Sequence, residues 1–218
     1  DLYIKTFEEE RNLTTHIIMD ASNSMNFGKS ISKFDYAAMI GTGFAYLSLK
    51  ENDKFQFSTF SENVEVFQPR RGMAQLMSMI SYLNDLKTKG ASKLRDSLFQ
   101  YKDYIGSRAL LILISDFLFP IEEIKEALRL LGNHEIKIIQ VLDPVEKELG
   151  FTGDYNLKDS ETGQKLNTYI SRKLRTKYQE MLTEHSSQIE DECNALNMSF
   201  YQITTDTPLF DAFYRILE

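Results

Sequence analysis

The 218-residue chain predicts a doubly wound α/β fold, a mostly parallel sheet with helices on both faces in a three-layer sandwich. Three observations carry this. The aliphatic runs at residues 13–19, 109–114 and 136–142 are continuous rather than alternating, which marks strands buried on both faces. Segments of helical spacing fall between such runs, so neighbouring strands pair in parallel through crossover helices. Apolar residues make up 42% of the chain against 26% charged, enough to bury a core and to exclude disorder.

In chain order, residues 13–19 form the first strand, 20–31 a turn and 33–50 a helix. Gly41 and Gly43 weaken that helix, so they mark its close packing on the sheet. Residues 55–60 alternate as a strand, with a short extended piece at 64–67, and helices follow at 73–86 and 94–104. After the run at 109–114, residues 121–131 have helical spacing and 136–142 form the next strand. Residues 145–167 break the rhythm. Gly150, Gly153 and the turn Asp159, Ser160, Glu161, Thr162, Gly163 read as a loop or hairpin excursion at about 145–170. A long helix at 171–196 carries Leu174, Tyr178, Met181, Leu182, Ile189, Cys193 and Leu196 on one stripe. Residues 200–204 supply a last strand, and Pro208 opens a closing helix to Leu217. No stretch has the composition of a linker, so residues 1–218 read as one domain.

Charge narrows the function. Lys and Arg total 25 against 32 Asp and Glu, a net −7 that argues against a nucleic-acid module and against docking on anionic lipid. One cysteine, Cys193, excludes an internal disulfide and a Cys-based metal cage, and points to a reducing, cytoplasmic compartment. The longest uncharged apolar stretch, residues 36–49, is too short to insert in a membrane, and the opening residues 1–11 are too polar for a signal peptide. The chain opens without Met, so it reads as a piece of a longer protein, with room upstream for targeting or anchoring signals.

Three strands end in aspartate: Asp20, Asp116 and Asp143. Ligands of open α/β sheets bind outside the carboxyl ends of the strands, where strand order reverses, and carboxylates gathered there can hold a hard cation. Taken singly, each Asp fits the cap of a following turn equally well, and Pro144 favours that for Asp143. Asp20 has company in Asp20-Ala21-Ser22-Asn23-Ser24, a D-x-S-x-S in which oxygen side chains at alternate positions converge. By average usage the pattern arises by chance in roughly one chain in twenty of this length, so its position at a strand end carries the weight. Gly28-Lys29-Ser30 lacks the first glycine of a phosphate loop, since Asn23 stands there. An aspartyl-phosphate turn needs an acid where Ser22 stands, and no G-x-S-x-G occurs. His16, His134 and His185 read as packing or surface residues.

These residues resemble a von Willebrand factor A domain with its metal-ion-dependent adhesion site. Asp20, Ser22 and Ser24 match its first motif. Ser92 in Gly90-Ala91-Ser92 stands where the family has threonine, and Asp116 in Ile114-Ser115-Asp116-Phe117 matches the last ligand. Phe7-Glu8-Glu9-Glu10-Arg11, Leu142-Asp143-Pro144-Val145-Glu146, the turn Asp159 to Gly163 and Thr205-Asp206-Thr207-Pro208 further resemble the bacterial and archaeal family catalogued as domain of unknown function fifty-eight. The resemblance implies an upstream segment, often with membrane helices, and a MoxR-type AAA+ ATPase as partner in chaperone-like work.

The expected protein is then a metal-dependent interaction module and not an enzyme, because no base or nucleophile is evident beside the oxygen ligands. In the family pattern Ser22, Ser24 and Ser92 touch the ion, Mg²⁺ or Mn²⁺ ahead of Ca²⁺, while Asp20 and Asp116 act directly or through water. A partner's acidic side chain completes the shell, with Lys29, Lys93 and Arg95 flanking the crevice to steer it. The alternatives are a Mg²⁺-dependent phosphohydrolase using the same carboxylates and a scaffold with a vestigial site.

Overall fold

The computed structural model describes residues 13–106, 109–132, 134–150, 153–158 and 165–218. The opening 7–11 stretch and the 159–163 turn of the sequence reading lie outside them. Strand β1 spans Thr14–Asp20, helix α1 Lys33–Lys50, β2 Lys54–Phe60, β3 Val64–Val66, α2 Met73–Asp85, α3 Leu94–Tyr101 and β4 Ala109–Ser115. Then come α4 Ile121–Arg129, β5 Glu135–Leu142, α5 Pro144–Glu148, the hairpin β6 Gly153–Lys158 and β7 Lys165–Ile170, α6 Arg172–Ala195, β8 Ser199–Thr204 and α7 Leu209–Leu217.

Six strands form one sheet in the order β3-β2-β1-β4-β5-β8, parallel throughout except for β3. The doubly wound expectation holds, and its physical basis is visible residue by residue. In β1, Ile17 and Met19 face one apolar layer and Ile18 the other. In β4, Ile112 and Ile114 alternate with Leu111 and Leu113 in the same way. An uninterrupted aliphatic run is what a strand needs when both pleat faces are covered. One layer is closed by α1, α2 and α7, the other by α3, α4 and α6.

From β1 the chain passes to β2 on one side and later to β4 on the other, so strand order reverses between β1 and β4. That switch point lies at the carboxyl ends of two strands that end at Asp20 and Ser115, the place where open α/β sheets bind ligands.

Two expectations need correction. Gly41 packs on the sheet as expected, since a Cβ there would come within 2.9 Å of Met19 Sδ and 3.1 Å of Ile17 Cγ2, both in β1. Gly43 does not: a Cβ there would meet the Phe213 ring of α7 at 2.0 Å, so it makes room for a helix instead. The stripe on α6 is buried at Leu182, Ile189 and Cys193, but Leu174 is 40% and Met181 63% exposed. The buried positions of α6 run from Leu182 to Cys193 at spacings of three and four, so the helix meets the core over its second half, and Met181, adjacent to Leu182, lies off that stripe. The excursion after β5 contains the short α5 and the β6–β7 hairpin. Among the described residues no helix is long and apolar enough to cross a membrane.

Candidate metal centre

Asp20 ends β1 with no exposed surface. Its Oδ1 accepts the Ser22 N–H at 2.9 Å, a local turn that short polar side chains make at strand ends. Ser22 starts a single 3₁₀ turn, Asn23–Asn26, anchored in the core by fully buried Met25. The turn leaves the Ser22 and Ser24 hydroxyls 3.1 Å apart.

The second loop is stitched to the first by backbone. Asn23 N–H donates to Gly90 O at 3.0 Å and Lys89 N–H to Ala21 O at 3.0 Å. Gly90 has φ +73°, a left-handed backbone that favours glycine. This pairing brings Ser92 Oγ within 3.2 Å of Asp20 Oδ2. Ser115, the last residue of β4, donates to the same oxygen at 2.7 Å.

The third segment follows β4. Asp116 is buried, its carbonyl accepts from Gln140 Nε2 at 2.9 Å, and Phe117 after it has φ +52°. A buried aromatic residue in left-handed backbone is strained, and such strain collects at functional sites. Two bonds hold Phe117 there: its N–H donates to Ser115 Oγ at 3.1 Å, and its carbonyl accepts from His185 Nε2 of α6 at 2.7 Å.

The structure therefore brings Asp20, Ser22, Ser24 and Ser92 into one hydrogen-bonded cluster, with the Asp116 charge acting on Asp20. It also adds three groups that the sequence reading left out. Ser115 is one. Lys33, wholly buried at the start of α1, donates to Asp116 Oδ2 and to Glu146 Oε1, each at 2.8 Å. The expectation of no acid–base group beside the carboxylates is thus corrected by Lys33 and Glu146. Signals for both were present. A lysine in the first helical turn opposes the helix dipole, and Asp143-Pro144-Val145-Glu146 has capping-box spacing. In the structure Asp143 caps α5, accepting the Val145 N–H at 2.8 Å, while Glu146 accepts the Asp143 N–H at 3.2 Å. The turn reading of Asp143 stands.

Electrostatically the two aspartates differ. Asp116 has the Lys33 ammonium; Asp20 has no cation within ion-pair distance among the described residues. Burial and the neighbouring Asp116 charge push the Asp20 carboxyl up to about 7, against hydrogen bonds from Ser22 and Ser115. Burial also raises the Glu146 carboxyl, with Lys33 opposing it. For Lys33 burial opposes the charge, but Asp116 and Glu146 outweigh it and the ammonium is held above its ordinary value.

The donor set fits a hard divalent cation. It offers one buried carboxylate without a counter-charge and several hydroxyl oxygens, and Ser92 donates its proton to Asp20, leaving its lone pairs free. No cluster of three or more His, Cys, Asp or Glu arranged for a metal occurs among the described residues, so the hydroxyls are essential to such a site. Of the flanking cations, Lys29 and Lys93 are exposed. Arg95 instead pairs with Glu126 of α4 at 2.8 Å, both side chains more than half exposed, a weak surface pair.

Fold and crevice together define a doubly wound α/β protein with a carboxylate–hydroxyl cluster at the switch point of its sheet. The chain belongs to the family described as "Protein of unknown function DUF58", whose model matches residues 1–188. It is similar to Uncharacterized protein Rv1480 of Mycobacterium tuberculosis, 23% identical over 210 residues that cover 94% of this chain and 66% of that protein. The chain thus spans just under two thirds of that relative's length. Solved structures with a similar fold include the conserved hypothetical protein BatB from Bacteroides thetaiotaomicron, with TM-score 0.57, 12% identity and coverage of 94% of this chain and 97% of that one. Another is an aerotolerance-related membrane protein from Bacteroides fragilis, with TM-score 0.61, 13% identity and coverage of 94% and 96%. At such identities the shared feature is the fold.

Proposed function

We propose that this chain is a von Willebrand factor A-type interaction module that captures a carboxylate of a protein partner through a divalent cation. Mg²⁺ is the first choice, Mn²⁺ the next and Ca²⁺ the last. The single observation behind this reading is the hydroxyl cluster that Ser22, Ser24 and Ser92 form at Asp20, a buried carboxylate with no cation within ion-pair distance among the described residues. When bound, the cation supplies a Lewis-acidic point that accepts an incoming carboxylate. Asp20 holds charge for it, the serines contribute neutral oxygens, and Asp116 stands beside them under Lys33. Exposed Lys29 and Lys93 favour an acidic partner by long-range attraction. Within this reading the module works in the cytoplasm beside a MoxR-type AAA+ ATPase, as one domain and not as an enzyme.

Two measurements test it. Titration with Mg²⁺ or Mn²⁺ is expected to raise the melting temperature, because an ion bound only by the folded state stabilises it by mass action. Asp20→Ala abolishes that rise, and Ser92→Ala reduces it by removing one hydroxyl. An unchanged rise in Asp20→Ala places the ion elsewhere. In the second, binding of the full-length protein to a MoxR-type ATPase is measured with Mg²⁺ and with chelator. Capture needs the ion and is lost in Asp20→Ala; full affinity in chelator refutes capture through a metal.

The phosphohydrolase reading gains one observation, the buried ammonium in the crevice. That ammonium is saturated by Asp116 and Glu146, and Ser22 occupies the place of a general acid, so the interaction reading is preferred. Hydrolysis of a generic phosphoester by the wild type and not by Asp20→Ala would reverse the preference.

A further inference from the structure

Lys33 is the one lysine among the largest fully buried side chains of the described fold. A buried ammonium pair is rarely the most stable choice at its position, and an apolar side chain of similar volume often does as well or better. The first turn of a helix is also the wrong end for a cation. Its presence there calls for another use, and the charges around it suggest one.

At the switch point the Asp116 charge acts on both Asp20 and Glu146, and Lys33 is the one cation paired with these carboxylates among the described residues. With all four ionised, the cluster carries an excess of two negative charges, which is the charge of one divalent ion. The resident cation is not shared evenly. Lys33 Nζ bonds Asp116 Oδ2 and Glu146 Oε1 at 2.8 Å and makes no bond to Asp20. Glu146 is itself fixed by the α5 capping box, so its carboxylate is a rigid tether for the ammonium. Of the two aspartates at the strand ends, one therefore arrives already neutralised and the other does not.

We propose that Lys33 is the tuning residue of the cation site: tethered by Glu146, it neutralises Asp116, lowers the affinity for a divalent ion and reserves that ion's charge for a partner's carboxylate. This rests on the metal-dependent reading above and adds a named control to it. Asp20 is left as the only uncompensated carboxylate ligand. Removing Lys33 hands the charge of Asp116 back to the ion. Removing the charge of Glu146 does the reverse, because the ammonium then bears on Asp116 and the crevice without its second counter-charge.

The test is Mn²⁺ binding to the full chain at neutral pH, followed by calorimetry and by the electron paramagnetic signal of free Mn²⁺. Lys33→Met is expected to tighten Mn²⁺ binding by about tenfold and Glu146→Gln to weaken it several-fold, by removal of one repulsive and one attractive unit charge close to the ion. The Lys33→Met/Glu146→Gln double variant returns close to the wild type. Damage to packing moves both single variants in the same direction, so the opposite signs are the signature. Equal affinities, or two shifts of one sign, overturn the proposal. If Lys33→Met does not fold, Glu146→Gln decides: Mn²⁺ binding there that is unchanged or tighter refutes it. Asp20→Ala separates the layers. Wild-type binding in Asp20→Ala sinks the metal reading itself, whereas loss there with Lys33→Met unchanged sinks only the role of Lys33.

Discussion

Asp20→Asn is expected to raise the melting temperature of the metal-free protein, and Asp116→Asn to lower it. Both are aspartates at the carboxyl ends of neighbouring strands, yet their surroundings give the changes opposite signs. Asp20 is fully buried, faces the Asp116 charge and has no cation, so ionising it in the fold is unfavourable. Asparagine keeps an acceptor for the Ser22 N–H and offers an amide to Ser92 and Ser115, whose hydroxyls can turn to accept. Removing a buried uncompensated charge is worth on the order of 2 kcal/mol. Asp116→Asn leaves the fully buried Lys33 with Glu146 alone, and breaking a buried ion pair from one side costs about 3 kcal/mol or more. For a chain of this size each kcal/mol is worth roughly 2–4 °C in Tm. Differential scanning calorimetry in chelator reads both changes, and shifts of the same sign refute the asymmetry. A site that is less stable than its neutral variant is a common mark of function.

The second large effect concerns pH. His16 in β1 is 1% exposed, and its Nδ1 lies 2.7 Å from the hydroxyl of buried Tyr101 in α3. Burial first, then the His134 charge, lower its pKa from 6.5 to about 4. Burial holds the Tyr101 hydroxyl protonated, and it shares one hydrogen bond with the neutral His16 ring, whose tautomer sets the direction. The unfolded chain takes up a proton at His16 as pH falls through about 6.5, while the folded chain does not until about 4. Stability from this group is therefore complete above 6.5 and lost as pH falls to about 4. The full span is worth about 3 kcal/mol. His16→Gln keeps an acceptor for Tyr101 and removes the titration. Urea unfolding at a series of pH values should show the wild type losing stability relative to His16→Gln across that window. Asp20 titrates over an overlapping range with the opposite sign, so the difference between the two proteins is the quantity to follow. Parallel curves would remove His16 from the acid response.

The order and type of most elements were legible in the sequence because local periodicity and burial agree. Residues 109–114 and 136–142 are aliphatic at every position only because both pleat faces are covered, and β4 and β5 pair in parallel as that implies. Asp20, Ser22 and Ser24 were legible for a different reason: three oxygen side chains within five residues of one turn make a pattern that needs no tertiary contact. Asp116 was legible only as an aspartate at a strand end, and Ser92 only through resemblance, since they lie 96 and 72 residues from Asp20 and nothing local ties either to it.

By itself, then, the sequence determined the layered parallel sheet, its strand-end aspartates and the hydroxyl-rich turn, all features set by side-chain character over a few residues. The fold alone decided the electrostatics of the crevice. Lys33 reads locally as the polar first residue of a helix and Glu146 as half of a capping box. They become a buried ion-pair trio because the two segments, 113 residues apart, meet over the carboxyl end of β4. Which of two aspartates carries an uncompensated charge depends on distances across the switch point. Coulomb energy in a low-dielectric interior is governed by those distances and not by sequence spacing.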